Sequence, residues 1–247
     1  TQEDILHGRT TKLPFSVNAL RVLAGRYLQR DENSEVTETP EDMYDRVSNA
    51  LANVEKKYGK NETQINELEE KFKDVLYNFE FIPAGRTLAN AGGKTRLVSN
   101  CIVLHFEDSM DGIFSTLHDA ALLQQAGSGL GFPWHLLRPA GTHTNKTQGT
   151  ASGPVSFLKA YNESFGVIKQ QGRHGANMGV MRVDHPDILE FIEAKWEEGS
   201  LVNFNISVGL TDEFMQAVKD KSKEPWLCSW NGKKMKPRRV IRNERGA

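Results

Sequence analysis

Apolar positions recur at helical spacing through the first part of the chain. Leu20, Leu23, Tyr27 and Leu28 line one side of a segment that Ser16 can cap. After a polar loop over 31–38, Thr39-Pro40-Glu41-Asp42 supplies an N-cap, a proline at the first helical position and early acidic residues. Met43, Val47, Leu51 and Val54 follow on one side, and Gly59 ends the pattern. A third helix is predicted over 62–78, with Ile65, Leu68, Phe72, Val75 and Leu76 on its apolar side.

The pattern changes at Phe79, where apolar runs begin to alternate with glycine-rich turns. Cys101-Ile102-Val103-Leu104 predicts a short buried strand, and 111–126 a helix. Gly127-Ser128-Gly129-Leu130-Gly131 predicts a loop, because three glycines in five residues are costly inside a helix. A helix over 154–168, a second glycine-containing loop over 170–177 and an apolar stretch over 178–183 come next. Asp184-His185-Pro186-Asp187 reads as a helix start, with Pro186 in the first turn and Asp187 favourable to the dipole; the helix runs to about Trp196. A strand over 204–210 and a helix from Thr211 to Val218 complete the order. The fold class expected is α/β: a helical N-terminal region over 1–80, then alternating strands and helices over 81–247.

A formal net charge of −1 excludes a global field that would recruit nucleic acid or an acidic membrane. The basic run from Lys233 to Arg242 reads as a solvated tail. Nothing approaches the roughly 18 consecutive apolar residues of a membrane span, and the polar, acidic Thr1-Gln2-Glu3-Asp4 is unlike a signal peptide. Cys101 and Cys228 stand far apart and offer neither a disulfide framework nor a zinc site, so a cytoplasmic protein is expected. His105 and His118 have no partner at metal-ligand spacing, and no metal is assigned.

Taken singly, the glycine loops identify nothing. The segment 127–131 is neither a Walker motif nor a dinucleotide fingerprint, and a tight strand–helix connection accounts for it. The succession is more specific. It runs Phe81-Ile82-Pro83-Ala84-Gly85-Arg86-Thr87, then Ser99-Asn100-Cys101, Glu107-Asp108-Ser109-Met110, Ala126-Gly127-Ser128-Gly129 and Leu137-Arg138-Pro139. Ala151-Ser152-Gly153-Pro154, Gly172-Arg173-His174-Gly175-Ala176-Asn177 and Asp184-His185-Pro186-Asp187 follow. In order and spacing this resembles the N-terminal part of ribonucleotide reductase, in wording nearest to the adenosylcobalamin-dependent class, over roughly Pro14 to Val218.

The resemblance implies part of an α/β barrel and a thiyl-radical reaction that turns ribonucleotides into deoxyribonucleotides. A thiol pair then becomes a disulfide that a thioredoxin-like partner or a C-terminal cysteine pair reduces. By resemblance Cys101 is the first redox cysteine, while Cys228 matches no family motif and is read as packing. Thr87, Asn100, Ala126, Gly127 and Arg173 are the carried-over substrate contacts. Asp108, Ser109, Met110, Gln170, Gln171, Gly172 and His174 are assigned to a regulatory dNTP or ATP effector at a subunit interface, consistent with a homodimer. For Asp108 a helix cap remains the alternative, and for 170–177 an exposed polar turn; which of Arg173 and His174 faces substrate stays open.

The radical-bearing cysteine, the second redox cysteine and most cobalamin contacts are expected in a later Asn-x-Cys-x-Glu stretch, beyond Ala247. The expectation is therefore a chain inactive alone that works with the missing C-terminal half, with no room for an ATP cone before Pro14. Two rivals stand: a free-standing nucleotide-binding regulatory module, and part of a class I large subunit.

Overall fold

The structure, a computed structural model, describes residues 11–95, 97–143, 148–170, 173–174 and 176–238. The chain divides into two compact units, Thr1–Asn100 and Cys101–Ala247.

In the first unit, Ser16 caps α1 (Val17–Arg26) by accepting from the Ala19 amide. Thr39 and Asp42 form a reciprocal capping box at the start of α2 (Pro40–Asn53). A 3₁₀ turn over Val54–Tyr58 stops at Gly59, whose φ is 84°. Asn61 and Gln64 box the start of α3 (Glu62–Tyr77), and the short α4 (Gly85–Asn90) follows. Leu20, Leu23, Met43, Tyr44, Val47 and Leu76 form the core together with Leu88 and Ala91. Residues beyond 80 therefore pack into the helical unit, up to Asn100. Arg46 fixes that junction: it donates to buried Glu38 at 2.6 Å and to the carbonyls of Leu88 and Ala91.

The second unit is built on a parallel sheet. Strands β1 (Cys101–Val103), β2 (Gly129–Pro133), β5 (Asn177–Arg182) and β6 (Phe204–Gly209) lie in that order, every pair parallel. Parallel neighbours need crossovers. These are α5 (Met110–Gln125), α6 (Pro154–Val167) and α7 (Ile188–Glu193). A two-stranded hairpin, β3 (Lys169–Gln170) with β4 (Arg173–His174), precedes β5, and β3 packs against α5. Thr211 caps α8 (Asp212–Lys219), and β7 (Cys228–Trp230) pairs with β8 (Lys233–Met235). Among the described residues the four-stranded sheet is open rather than a closed barrel.

One sheet face carries an aromatic core of Phe106, Phe132, Trp134, Tyr161, Phe165 and Phe204, with ring centroids 4.7–6.3 Å apart. Gly179 makes room for it: a Cβ there would meet Trp134 Nε1 at 2.9 Å.

Four sequence expectations change. The 127–131 segment is not all loop, because glycine disfavours helix yet accepts the extended backbone of β2. The 101–104 strand is not buried: Cys101 is exposed and Val103 is 79% exposed. Within 170–177, described residues form hairpin and strand instead of one loop. The helix after Asp184 begins only at Ile188 and ends at Glu193, and Asp187 makes no side-chain cap, because the 184–187 side chains bond elsewhere.

Candidate functional site

The strand register collects several candidate residues at the end of the sheet where its strands begin. Cys101 pairs with Gly129, and Leu130 with Asn177, which in turn pairs with Phe204. Alternation along the strands places Cys101, Val103, Gly129, Gly131, Met178 and Asn205 on the face opposite the aromatic core. Cys101, Val103, Met178 and Asn205 are exposed there, and two glycines on the neighbouring strand leave bare backbone beside the cysteine. A free thiol at the start of an edge strand thus faces a flat, accessible strip.

The turn before β2 is a helix stop. Gly127 donates to the Gln124 carbonyl at 2.8 Å and Ser128 to the Leu123 carbonyl at 3.0 Å, a Schellman pair that satisfies two terminal carbonyls of α5. Gly127 has φ 91°, so the helix stop itself calls for glycine. The tight connection expected for 127–131 is thus a sufficient reason for this glycine, independent of any substrate contact.

In the helical unit, Thr87 and Asn100 come together. Asn100 Oδ1 accepts from the Arg86 amide at 2.9 Å, satisfying a first-turn N–H of α4, and Thr87 Oγ1 donates to the Val98 carbonyl at 3.3 Å. Gln170, Arg173 and His174 are placed as backbone in the β3–β4 hairpin; Gln171 and Gly172 lie outside the described residues.

The opposite end of the sheet, where the strands finish, is polar and tied together. Asp108 follows β1, and Arg138 holds it three ways: its backbone amide donates to Oδ1 at 3.0 Å, Nε to Oδ2 at 2.8 Å, and its guanidinium to the Asp108 carbonyl at 2.9 Å. The cap of α5 is Ser109, which accepts from the Gly112 amide at 3.0 Å, so the alternative of Asp108 as cap falls. Met110 opens the helix and is 61% exposed.

A cleft of about 540 Å³ lies beside Asp108, lined by His135, Arg182, Asp184, His185 and Trp230 among others. Arg182 grips Asp184 with two hydrogen bonds of 3.0 and 2.7 Å, and Ser229 adds a third at 2.8 Å. Burial pushes the Asp184 carboxyl up, but the bonds from Arg182 and Ser229 outweigh it and the net shift is downward. His185 is fully buried: Nε2 donates to the Leu137 carbonyl at 3.1 Å and Nδ1 accepts from the Asp187 amide. Burial lowers its basicity, as it does that of His135. Buried Asp187 accepts from the Ala140 amide at 2.9 Å and pairs with Arg238 at 3.2 Å.

Comparison with known proteins settles the family. The ribonucleotide reductase all-alpha domain matches residues 13–96, and the ribonucleotide reductase barrel domain matches residues 99–238. The chain belongs to the ribonucleotide reductase family. A vitamin B12-dependent ribonucleoside-diphosphate reductase of Mycobacterium tuberculosis is 44% identical over 215 residues, covering 86% of this chain and 31% of the relative. A protein of the same name from Thermoplasma acidophilum is 36% identical over 88% of this chain and 35% of the relative. The ribonucleoside-diphosphate reductase subunit alpha of Helicobacter pylori is 31% identical over 75% of this chain and 23% of the relative. The chain thus spans about a third or less of the length of these curated relatives.

Within this reductase chain, the two cysteines contrast. Cys228 is 1% exposed, and burial, with Asp184 and Asp187 nearby, pushes its thiol up, away from reactivity. Among the described residues no group of His, Cys, Asp and Glu could hold a metal ion, and no helix is long and apolar enough to cross a membrane. Sequence reasoning missed the His185–Asp187 knot and Arg138 as partner of Asp108. A signal was present: three charged or titratable side chains in four residues, between the apolar 178–183 stretch and Ile188, would be an unusual start for a half-buried helix.

Proposed function

We propose that this chain supplies the first redox cysteine and the nucleotide-handling loops of an adenosylcobalamin-dependent reductase that converts ribonucleoside diphosphates to deoxyribonucleotides. Membership of the family and the B12-dependent relatives support the reaction class. The observation that carries the role of Cys101 is its exposed, free thiol on an edge strand, beside glycine backbone on the open sheet face.

The reaction balances with two thiols. The ribonucleotide loses its 2′-hydroxyl as water, gains hydrogen at that carbon, and the thiol pair loses two hydrogens to become a disulfide. Cys101 is one member, and the second belongs to the part of the relatives beyond the matched segment, together with the radical-bearing cysteine. A thioredoxin-like partner restores the pair. Thr87, Asn100, the Ala126–Gly127 backbone and Arg173 hold the substrate in this reading. Asp108, Ser109, Met110, Gln170, Gln171, Gly172 and His174 hold a dNTP effector across a homodimer interface. Arg138 then shares Asp108 with the effector sugar, or releases it on binding.

When bound, adenosylcobalamin supplies the radical. The cleft beside Asp108 does not fit a corrin, because Arg182, Asp184 and Ser229 in its lining bond one another. Most of the cobalamin contacts are assigned to the part of the relatives beyond the matched segment, as the resemblance implies. Full-length protein carrying Cys101→Ser, assayed anaerobically with adenosylcobalamin and a dithiol, is expected to bind ribonucleotide and form no deoxyribonucleotide. Deoxyribonucleotide formation at the wild-type rate would refute the assignment.

A further inference from the structure

A line of buried side-chain amides runs under the two loops that this reading gives to nucleotides. Gln124 on α5 is 2% exposed and donates from Nε2 to Asn177 Oδ1 at 3.1 Å. Asn177, the first residue of β5 and also 2% exposed, donates from Nδ2 to the Asn203 carbonyl at 3.0 Å. Asn203 in turn donates from its backbone to Asn162 Oδ1 at 3.0 Å, and from Nδ2 to the Asn162 carbonyl at 2.8 Å. Asn162, on α6, is 5% exposed.

Position gives this network its meaning. The Gln124 carbonyl closes the Ala126–Gly127 turn by accepting from Gly127, while its side chain grips Asn177. Asn177 follows directly on the segment that contains the β3–β4 hairpin, and the Ala176 carbonyl accepts from the Leu130 amide at 2.9 Å. One residue therefore holds the root of the first loop through its backbone and the root of the second through its side chain. A buried amide bond of this kind is costly to leave half-made, so the two roots are held in fixed register. Gln124 Oε1 is buried with no hydrogen-bond partner among the described residues, which leaves an open acceptor at the head of the line. An apolar pair of similar volume would fill this space as well. Packing alone does not call for amides here.

We infer that Gln124 and Asn177 are positioning residues that couple the root of β5, behind the β3–β4 hairpin, to the Ala126–Gly127 turn, so that an effector held by one resets substrate preference at the other. This inference rests on the nucleotide-handling reading above. Neither side chain touches nucleotide in it; both act through the loops they anchor.

The test uses the full-length reductase with adenosylcobalamin and a dithiol. The kcat/KM of each of four ribonucleoside diphosphates is measured with and without dATP, dGTP or dTTP. The double variant Gln124→Met/Asn177→Leu removes donor and acceptor together, so the fold is retained and no orphaned amide is created in the pair. It is expected to keep unstimulated turnover and dNTP affinity while its effector-driven shift in substrate preference shrinks at least about fivefold, the lower end of typical allosteric coupling. Gln124→Met alone, which keeps the Asn177–Asn203 bond but leaves Asn177 Oδ1 without its donor, is expected to move preference in the same direction should the double variant unfold. Either variant folding normally with wild-type effector-driven preference overturns the inference while leaving the function reading intact. A wild-type enzyme that reduces nucleotides with no effector-driven preference overturns this inference together with the effector assignment, yet leaves the Cys101 assignment standing.

Discussion

The two ends of the parallel sheet are built on opposite rules. Where the strands begin, the thiol of Cys101 is exposed and the glycines of β2 leave backbone accessible beside it, above a buried line of paired amides from Gln124, Asn177 and Asn203. Where they finish, nearly every polar side chain is paired: Asp108 with Arg138, Asp184 with Arg182 and Ser229, and His185 and Asp187 with backbone. In the proposed reading the first end supplies the reacting thiol, while the titratable side chains of the second are bonded to one another and to backbone. The difference teaches that a density of titratable groups, the usual pointer to chemistry, here marks structure. The end proposed to react is marked by a lone exposed thiol beside glycine backbone.

That contrast can be broken from either side. The largest effect expected is at the open end. Cys101→Ser should abolish deoxyribonucleotide formation yet move the unfolding free energy by no more than about 0.5 kcal/mol, as surface substitutions do; denaturant melts of both proteins check this. At the closed end, Asp187→Ala should cost about 1–3 kcal/mol, because the Ala140 amide loses its acceptor, while turnover per folded molecule is kept. A loss of turnover without a loss of stability there would reverse the assignment of the two ends.

Gly127→Ala should cost about 1–2 kcal/mol, since a Cβ strains the left-handed conformation at the helix stop. The smallest effect is that of pH. Burial holds His185 and His135 below the ordinary histidine value of 6.5, so the unfolded chain binds protons that the folded one refuses. The stability they contribute is complete above that value and falls as pH drops through it. Asp184 is also shifted downward, by its hydrogen bonds rather than by burial, and loses its contribution only at still lower pH, below the ordinary carboxylate value of 3.8. Melting temperatures between pH 7.5 and about 5 read the histidine window alone, and extending them to about pH 3 reaches that of Asp184.

Much of the fold was legible because its signals are local. Ser16, the Thr39–Asp42 box, Gly59 and Thr211 sit at the helix ends that their chemistry predicts. The strand 204–209 follows from its apolar and β-branched run, and the apolar stretch over 178–183 falls largely on the strand 177–182. The helix start expected at Asp184 failed because the partners of that segment, at Leu137, Ala140, Ser229 and Arg238, are distant in sequence. The β7–β8 hairpin was overlooked within a run read as a solvated basic tail. Cys101 is singled out by its place among motifs, but its exposure depends on strand order, which periodicity does not carry.

The most direct measurement is disulfide mapping by mass spectrometry after a single turnover of the full-length protein, without external reductant. The account predicts Cys101 in a disulfide with a cysteine from beyond the matched segment, with Cys228 still a free thiol. Deoxyribonucleotide formed in stoichiometric amount while Cys101 remains reduced would contradict it.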